Sequence, residues 1–356
     1  MSLATKMNRP LPFTPLPGLV FRLRLKDLCW LLAFSAIVLV LFLWSASSGS
    51  YHLSMAQVWQ VLLAPDAQPD RLVRVVWEFR LPRILAAMLC GAALAIAGVM
   101  LQSITRNALA SPGLIGVEAG ASVTLLFCVI LMPGLVPIFW LPVSAMLGGF
   151  LVAGLIYLLS SARGYSPVRL ILVGVGITSM LSALSEMLIT YGDIDLVESA
   201  LMWLGGSLHQ VSWGQVEVMA WWLLLAGVPA LLSFRQLNLL RLGDKVALSR
   251  GVDNRKVIPL LLLISVALTA SAVATAGTLT FVGLMAPHMA RRFCGDRHGV
   301  LIPLAGLLGA LLVLLGDTLG RTLLAPLQLP AGLVIVLVGA PWFIVLMHRS
   351  RHGGAN

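Results

Sequence analysis

The residues of this chain able to do chemistry are few, and most stand beside long apolar runs. Arg80 and Arg83 lie three apart in RLPR (80–83), directly before the uncharged run ILAAMLCGAALAIAGVMLQ (84–102), and Arg321 follows a later apolar run. A guanidinium fork matches a carboxylate, so these arginines point to recognition of acidic groups on a partner. The plainer reading is that they snorkel and anchor helix ends. Glu186 stands deep in an apolar run, about a turn from its end. An acid there reads as functional by default, unless it simply reaches interfacial water. Gln102 suits interhelical hydrogen bonding. His288, in MAPHMARR (285–292), has no Cys, Asp or Glu beside it and reads as a packing or helix-end residue, not a metal ligand.

Other chemistry is excluded by what is missing. No GxxxxGK[ST] occurs, so the chain does not bind ATP through a P-loop, and neither HExxH nor GxSxG is present. No pair of intramembrane acids offers a proton relay. Cys29, Cys90, Cys128 and Cys294 form no CxxC or CxxH pair, so neither a disulfide framework nor a metal site is expected. With no clustered catalytic set, the sequence predicts neither an enzyme nor a cofactor.

The elements that position these residues are apolar helices. Of 356 residues, 59% are hydrophobic and 11% charged, about half the charge of a soluble domain. Runs of about twenty apolar residues, without strand-like alternation, indicate an all-α membrane protein in a lipid bilayer. The expected spans are 28–48, 84–104, 114–132, 138–160, 170–190, 215–234, 257–277, 280–294, 300–316 and 332–347. The stretch Ile258–Ala290 has 33 residues without a charge. As one straight helix it would be ~50 Å long, more than a bilayer needs, so a break is expected near Gly277–Gly283.

Ten transmembrane helices put both termini on one side, with 19 of the 24 Lys and Arg residues. By the positive-inside rule that side is cytoplasmic. Only Arg71, Arg74, Arg80, Arg83 and Arg321 fall outside. The net charge of +10 is thus mainly a topology signal and no argument for nucleic acid. Residues 1–27 form a basic leader, 28–348 the membrane domain and 349–356 a cytoplasmic tail. The leader precedes an uncleaved first helix more plausibly than it acts as a signal peptide.

Two connections stand out on the inner side. RNALASPGLIG (106–116) breaks two apolar runs with a polar, kinked stretch. FRQLNLLRLGDKVALSRGVDNRKV (234–257) holds six Lys or Arg and apolar residues at Leu237, Leu240, Val246 and Leu248. Gly243 is placed to end one short helix, Asp244 to cap the next, Gly251 to end that one and Asp253 to cap the seventh span. The segment reads equally as an amphipathic element on the inner leaflet or as a docking knob for a cytoplasmic partner. A faint echo links AGVM (97–100), with Arg106 eight residues after Gly98, to VGLM (282–285), with Arg291 eight after Gly283.

The combination RLPRILAAMLCGAALAIAGVMLQ, RNALASPGLIGVEAGAS, MWLGGSL (202–208), LGDKVALSRGVD (242–253), FVGLMAPHMARR and LPAGLVIVLVGAPWF (329–343) resembles the iron–siderophore and cobalamin permeases of bacterial ABC importers. The resemblance covers about 50–348, and its order and spacing make it specific. It implies a type II (BtuC-like) ten-helix permease bundle in the inner membrane, working as a dimer with an identical chain or a paralogue. It further implies two cytoplasmic ATPase subunits and a periplasmic substrate-binding protein.

Carried onto this sequence, the coupling element is Leu242–Asp253, with Leu242, Gly243, Asp244, Arg250 and Gly251. Arg80, Arg83 and Arg321 match arginines that meet glutamates of the binding protein. Asn107 and Leu109 match the inner gate, with a looser match at Ser166 and Pro167, and Glu186 is a candidate pathway residue. Ala108 replaces a common proline in the gate loop, and Gln328 replaces a common glutamate, which removes an outer acid near Arg321. The implied cargo is a ferric siderophore, with cobalamin or haem as the alternative. An ion-coupled secondary transporter is a remoter alternative, because it would need ionisable residues along its path and only Glu186 qualifies.

Overall fold

The computed structural model describes residues 10–16, 19–49, 51, 53–162, 164–209, 211–324 and 327–352. Lys6, Arg9 and Arg163 of the inner-side cations, and 353–356 of the expected tail, lie outside the described residues. A short antiparallel hairpin, β1 (Pro10–Leu16) and β2 (Leu19–Arg24), leads into the first helix. Among the described residues, the remaining regular elements are helices. The ten expected spans correspond to α1 (Leu25–Ser47), α4 (Leu81–Thr105), α5 (Val117–Leu126), α6 (Leu141–Ser161), α7 (Pro167–Tyr191), α9 (Trp213–Leu232), α12 (Asn254–Ala276), α13 (Val282–Cys294), α14 (His298–Thr322) and α15 (Ala331–His352). Between them lie the shorter α2 (Met55–Leu63), α3 (Asp70–Arg74), α8 (Ile194–Leu204), α10 (Phe234–Arg241) and α11 (Asp244–Ser249).

The larger departures from the expected boundaries share one cause: helices continue through charged residues that, in the sequence, mark the ends of spans. The second span starts at Asp70, not 84. Asp70–Thr105 is one helical rod of 36 residues, about 54 Å long. A π-helical turn, Val75–Arg80, joins α3 to α4, and the Leu81 N–H reaches back five residues to the Val76 carbonyl. Pro82 lacks an N–H and its ring crowds the carbonyl four residues earlier, so a widened turn just before it relieves the clash. The ninth span runs to Thr322, past the expected 316, and carries Asp317 and Arg321 inside its last turns. The break in the 258–290 stretch falls where expected. α12 stops at Ala276, Gly277 takes φ +70°, Phe281 takes φ +72°, and α13 restarts at Val282.

Burial sorts the spans into a centre and a periphery. In the most apolar stretches of α4 and α12, 78% of residues are buried, and 67% in α14, against 17% in α1, 11% in α7 and 22% in α9. Small residues permit the central contacts. A Cβ added at Gly91 would overlap the Gly309 carbonyl, fixing α4 directly against α14. One added at Gly98 would overlap the Gly283 carbonyl, fixing α4 against α13. The two glycines of the sequence echo are therefore contact partners.

Candidate functional site

α4 and α14 pack side by side in opposite directions, so the predicted functional residues fall into two clusters at opposite ends of the bundle. At one end, Arg80 donates through Nη1 to the carbonyls of Ala46 (2.5 Å) and Ser47 (3.1 Å), and through Nη2 to that of Tyr51. Arg321 donates to the Ser48 carbonyl at 2.7 Å, to the Ser45 hydroxyl at 2.6 Å and to the Ser45 carbonyl. Arg83 grips Asp317 through Nε (2.9 and 3.0 Å) and Nη2 (2.8 Å), and its Nη1 donates to Gln328 Oε1 at 2.8 Å.

The sequence treats these arginines as exposed cations. The structure buries Arg80 and Arg321, at 6% and 7% exposure, and employs them on carbonyls in and just after the last turn of α1. Unpaired carbonyls at a helix end need donors, and the guanidiniums supply them. All three arginines still line a cleft of about 250 Å³, with Gly49, Tyr51, Val75, Phe79 and Gln328. Gln328 lines this cleft together with Arg321, and its hydrogen bond is to Arg83.

At the other end lies the 106–116 loop. Arg106 closes α4 in the left-handed conformation, φ +53°. Asn107 Oδ1 accepts from the Leu109 N–H at 2.9 Å, a local turn that stiffens the loop and leaves Leu109 44% exposed. Pro112–Ile115 makes one tight 3-10 turn, and Gly116 at φ +73° starts α5. Ser166 and Pro167 stand at the start of α7, where the Ser166 carbonyl accepts from Leu170 at 3.0 Å and its hydroxyl caps nothing. The neighbouring Tyr165 hydroxyl donates to the Ile104 carbonyl at 3.3 Å, which brings the two predicted gate segments together at the end of α4. Burial pushes the Tyr165 phenol pKa up, so it stays a neutral donor. Glu186 is not part of this cluster. It lies exposed near the far end of α7, its carbonyl accepting from the Thr190 hydroxyl at 2.7 Å.

The predicted coupling segment folds as two short helices beside that loop. Phe234, Leu237 and Leu240 bury α10, while Leu242, Val246 and Leu248 stay exposed near and along α11. Gly243, at φ +113°, holds the N-cap position of α11, and Asp244 is the first helical residue, not the cap expected of it. Its carboxylate instead pairs with Arg106 and accepts from Asn254 Nδ2 at 2.8 Å. The exposed Arg250 is followed by Gly251 at φ +82°, and the Val252 N–H returns to the Ala247 carbonyl at 2.9 Å, closing α11 with a Schellman turn. Asp253 does cap α12, accepting from the Arg255 N–H at 3.0 Å.

Sequence reasoning missed three polar residues here and at the opposite end. Asp317, unlike Glu186, is a fully buried acid inside an apolar helix. His298, also fully buried, donates from Nδ1 to Asn238 Oδ1 (2.7 Å), and its Nε2 stands 2.5 Å from Ser103 Oγ. It thereby joins α14, α10 and α4. Asp296 pairs with Arg241 and, at 3.2 Å, with Arg291. The available signal was an acid or histidine immediately flanking a long apolar run, as in LLGDTLGR and DRHGVLIPLAG. Among the described residues, no group of three or more His, Cys, Asp or Glu side chains is placed to hold a metal ion.

The likenesses to known proteins follow the same layout. The FecCD transport family matches residues 37–349. The iron(3+)-hydroxamate import system permease protein FhuG of Bacillus subtilis is 38% identical over 321 residues, 88% of this chain and 95% of that protein. The Fe(3+) dicitrate transport system permease protein FecD of Escherichia coli is 41% identical over 321 residues, 88% of this chain and 99% of that protein. A solved inward-facing conformation of a metal-chelate type ABC transporter superposes with a TM-score of 0.80 at 32% identity, covering 90% of this chain and 98% of that one. On this ground the chain belongs to the FecCD transport family, whose members are multi-pass permease subunits of bacterial ABC importers.

Proposed function

We propose that this chain is the permease subunit that carries a ferric-siderophore complex across the inner membrane, delivered by a binding protein and driven by ATP hydrolysis on two partner subunits. The observation that carries the reading is the near full-length likeness to permeases named for ferric hydroxamate and ferric dicitrate import. Both cargoes are iron held by an organic chelator. A second permease subunit completes the pathway, and α7, with only 11% of its most apolar stretch buried, offers an apolar face for that pairing.

In this reading the end carrying Arg106 and the coupling helices is cytoplasmic, as the bias in Lys and Arg requires. The exposed Leu242, Val246 and Leu248, with Lys245 and Arg250 between and after them, form the surface that meets the ATPase. Asn107, Leu109, Ser166 and Pro167 form the inner gate. At the opposite end an acidic side chain of the binding protein enters the cleft lined by Arg80, Arg83 and Arg321. The pathway holds cargo weakly, because few fixed charges lie in the spans and a conduit that bound tightly would trap a large chelate.

The test is uptake of a radio-iron hydroxamate chelate into proteoliposomes holding the permease and its ATPase, with binding protein outside and ATP inside. Uptake should need all three. Uptake that continues without ATP, or that an ionophore abolishes while internal ATP is held constant, would overturn the reading in favour of an ion-coupled carrier.

A further inference from the structure

We propose that Arg106 is a positioning residue that fastens the coupling helices to the gate loop, so that movement of α10 and α11 is delivered to residues 107–116. The proposal rests on the permease reading above. One guanidinium spans the junction between the two short helices. Its Nε donates to the Leu240 carbonyl in the last turn of α10 at 2.9 Å, and its Nη2 pairs with Asp244, the first residue of α11. Asp244 Oδ1 also holds Asn254, the first residue of α12. Arg106 is itself the last turn of α4 and the immediate neighbour of Asn107. The Asn107–Leu109 turn on one side and the Tyr165–Ile104 bond on the other leave little slack between guanidinium and gate.

A second arm runs in parallel. Arg241, adjacent to Leu240, pairs with Asp296, Asp296 holds Arg291, and Arg291 donates to Gln102 in α4. Both arms therefore run from the end of α10 back to the end of α4, and each uses one arginine of the sequence echo.

The Arg106–Asp244 pair is 33% and 53% exposed, so water can replace either partner and the pair adds little to stability. Its removal should detach the coupling helices from the gate without unfolding the subunit. That separates it from a structural staple, whose loss would lower stability and assembly along with transport.

The experiment uses the reconstituted complex of permease, ATPase and binding protein. It reads chelate uptake per ATP hydrolysed, the ATPase copurifying with the permease, and the thermal unfolding midpoint. Arg106→Ala should keep copurification and midpoint and lower uptake per ATP about tenfold, the size of an ordinary coupling free energy. Arg106→Glu should behave alike, and Arg106→Glu combined with Asp244→Arg should recover the part of the loss carried by the 106–244 ion pair, though not the donation to the Leu240 carbonyl. Unchanged uptake per ATP in Arg106→Ala overturns the proposal. So does a loss that falls in step with copurification or midpoint, or one that the exchanged pair restores in no part. A wild-type complex without ATP-driven uptake would instead defeat the permease reading itself.

Discussion

At the end of the bundle where α14 finishes, Arg80 and Arg321 are spent on backbone carbonyls of residues 45–51, and Arg83 on a fully buried Asp317. At the opposite end, Arg106 and Arg241 keep 33% and 41% of their side chains exposed and pair with Asp244 and Asp296, themselves half exposed. The residue types are the same, and the surroundings differ. Breaking a buried pair strands a charge in a poor solvent, whereas a half-exposed pair gives way to water at little cost. The first arrangement suits a surface that must keep its shape while a partner docks. The second suits joints that must exchange partners during a cycle.

The contrast is easiest to break at its strongest point. Asp317→Ala should lower stability by about 3–5 kcal/mol, because it leaves Arg83 buried without its carboxylate. Thermal unfolding of the detergent-solubilised protein reads this, and an unchanged midpoint would erase the distinction between the ends. His298→Ala sharpens the comparison, since it removes a fully buried polar bridge at the end of the bundle that carries Arg106. Ser103 keeps its bond to the Val99 carbonyl and Asn238 its bond from the backbone N–H of residue 298, so the two lost side-chain hydrogen bonds should cost about 0.5–1.5 kcal/mol each, seen in the same melts. Asp253→Ala removes the cap of α12 and should cost about 1 kcal/mol. Smallest of all, Asp296→Ala should change stability by about 0.2–1 kcal/mol at low ionic strength and by less in high salt, since the paired groups are reached by solvent. A loss as large as that of Asp317→Ala would show the end carrying Asp296 to be as fixed as the end carrying Asp317.

Much of this layout was legible in the chain. Ten apolar runs became helices, the Gly277–Gly283 break fell in place, and Asp253 capped α12, because each depends on neighbours along the sequence. The 106–116 loop and the 234–257 connection also stood out by local pattern, and their adjacency emerged only in three dimensions. What stayed hidden depends on distant partners. Asp317 looks like the end of a span until Arg83, 234 residues earlier, is seen to neutralise it. His298 looks like loop polarity until Ser103 and Asn238 enclose it. Arg80 looks exposed because nothing near it in sequence announces that the 45–51 carbonyls lack donors.

The glycine contacts carry a mechanical consequence. Gly91 and Gly98 lie seven residues apart, nearly two full turns, so they fall on much the same side of α4. There α4 touches α14 and α13 backbone to backbone, with no side chain able to rotate between them. Such a seam has no intermediate packing to slide through, and the three helices can only travel as a solid block. Any widening of the route for cargo then falls to helices outside that block, among them α7, of whose most apolar stretch only 11% is buried within the subunit, with the block itself serving as the frame.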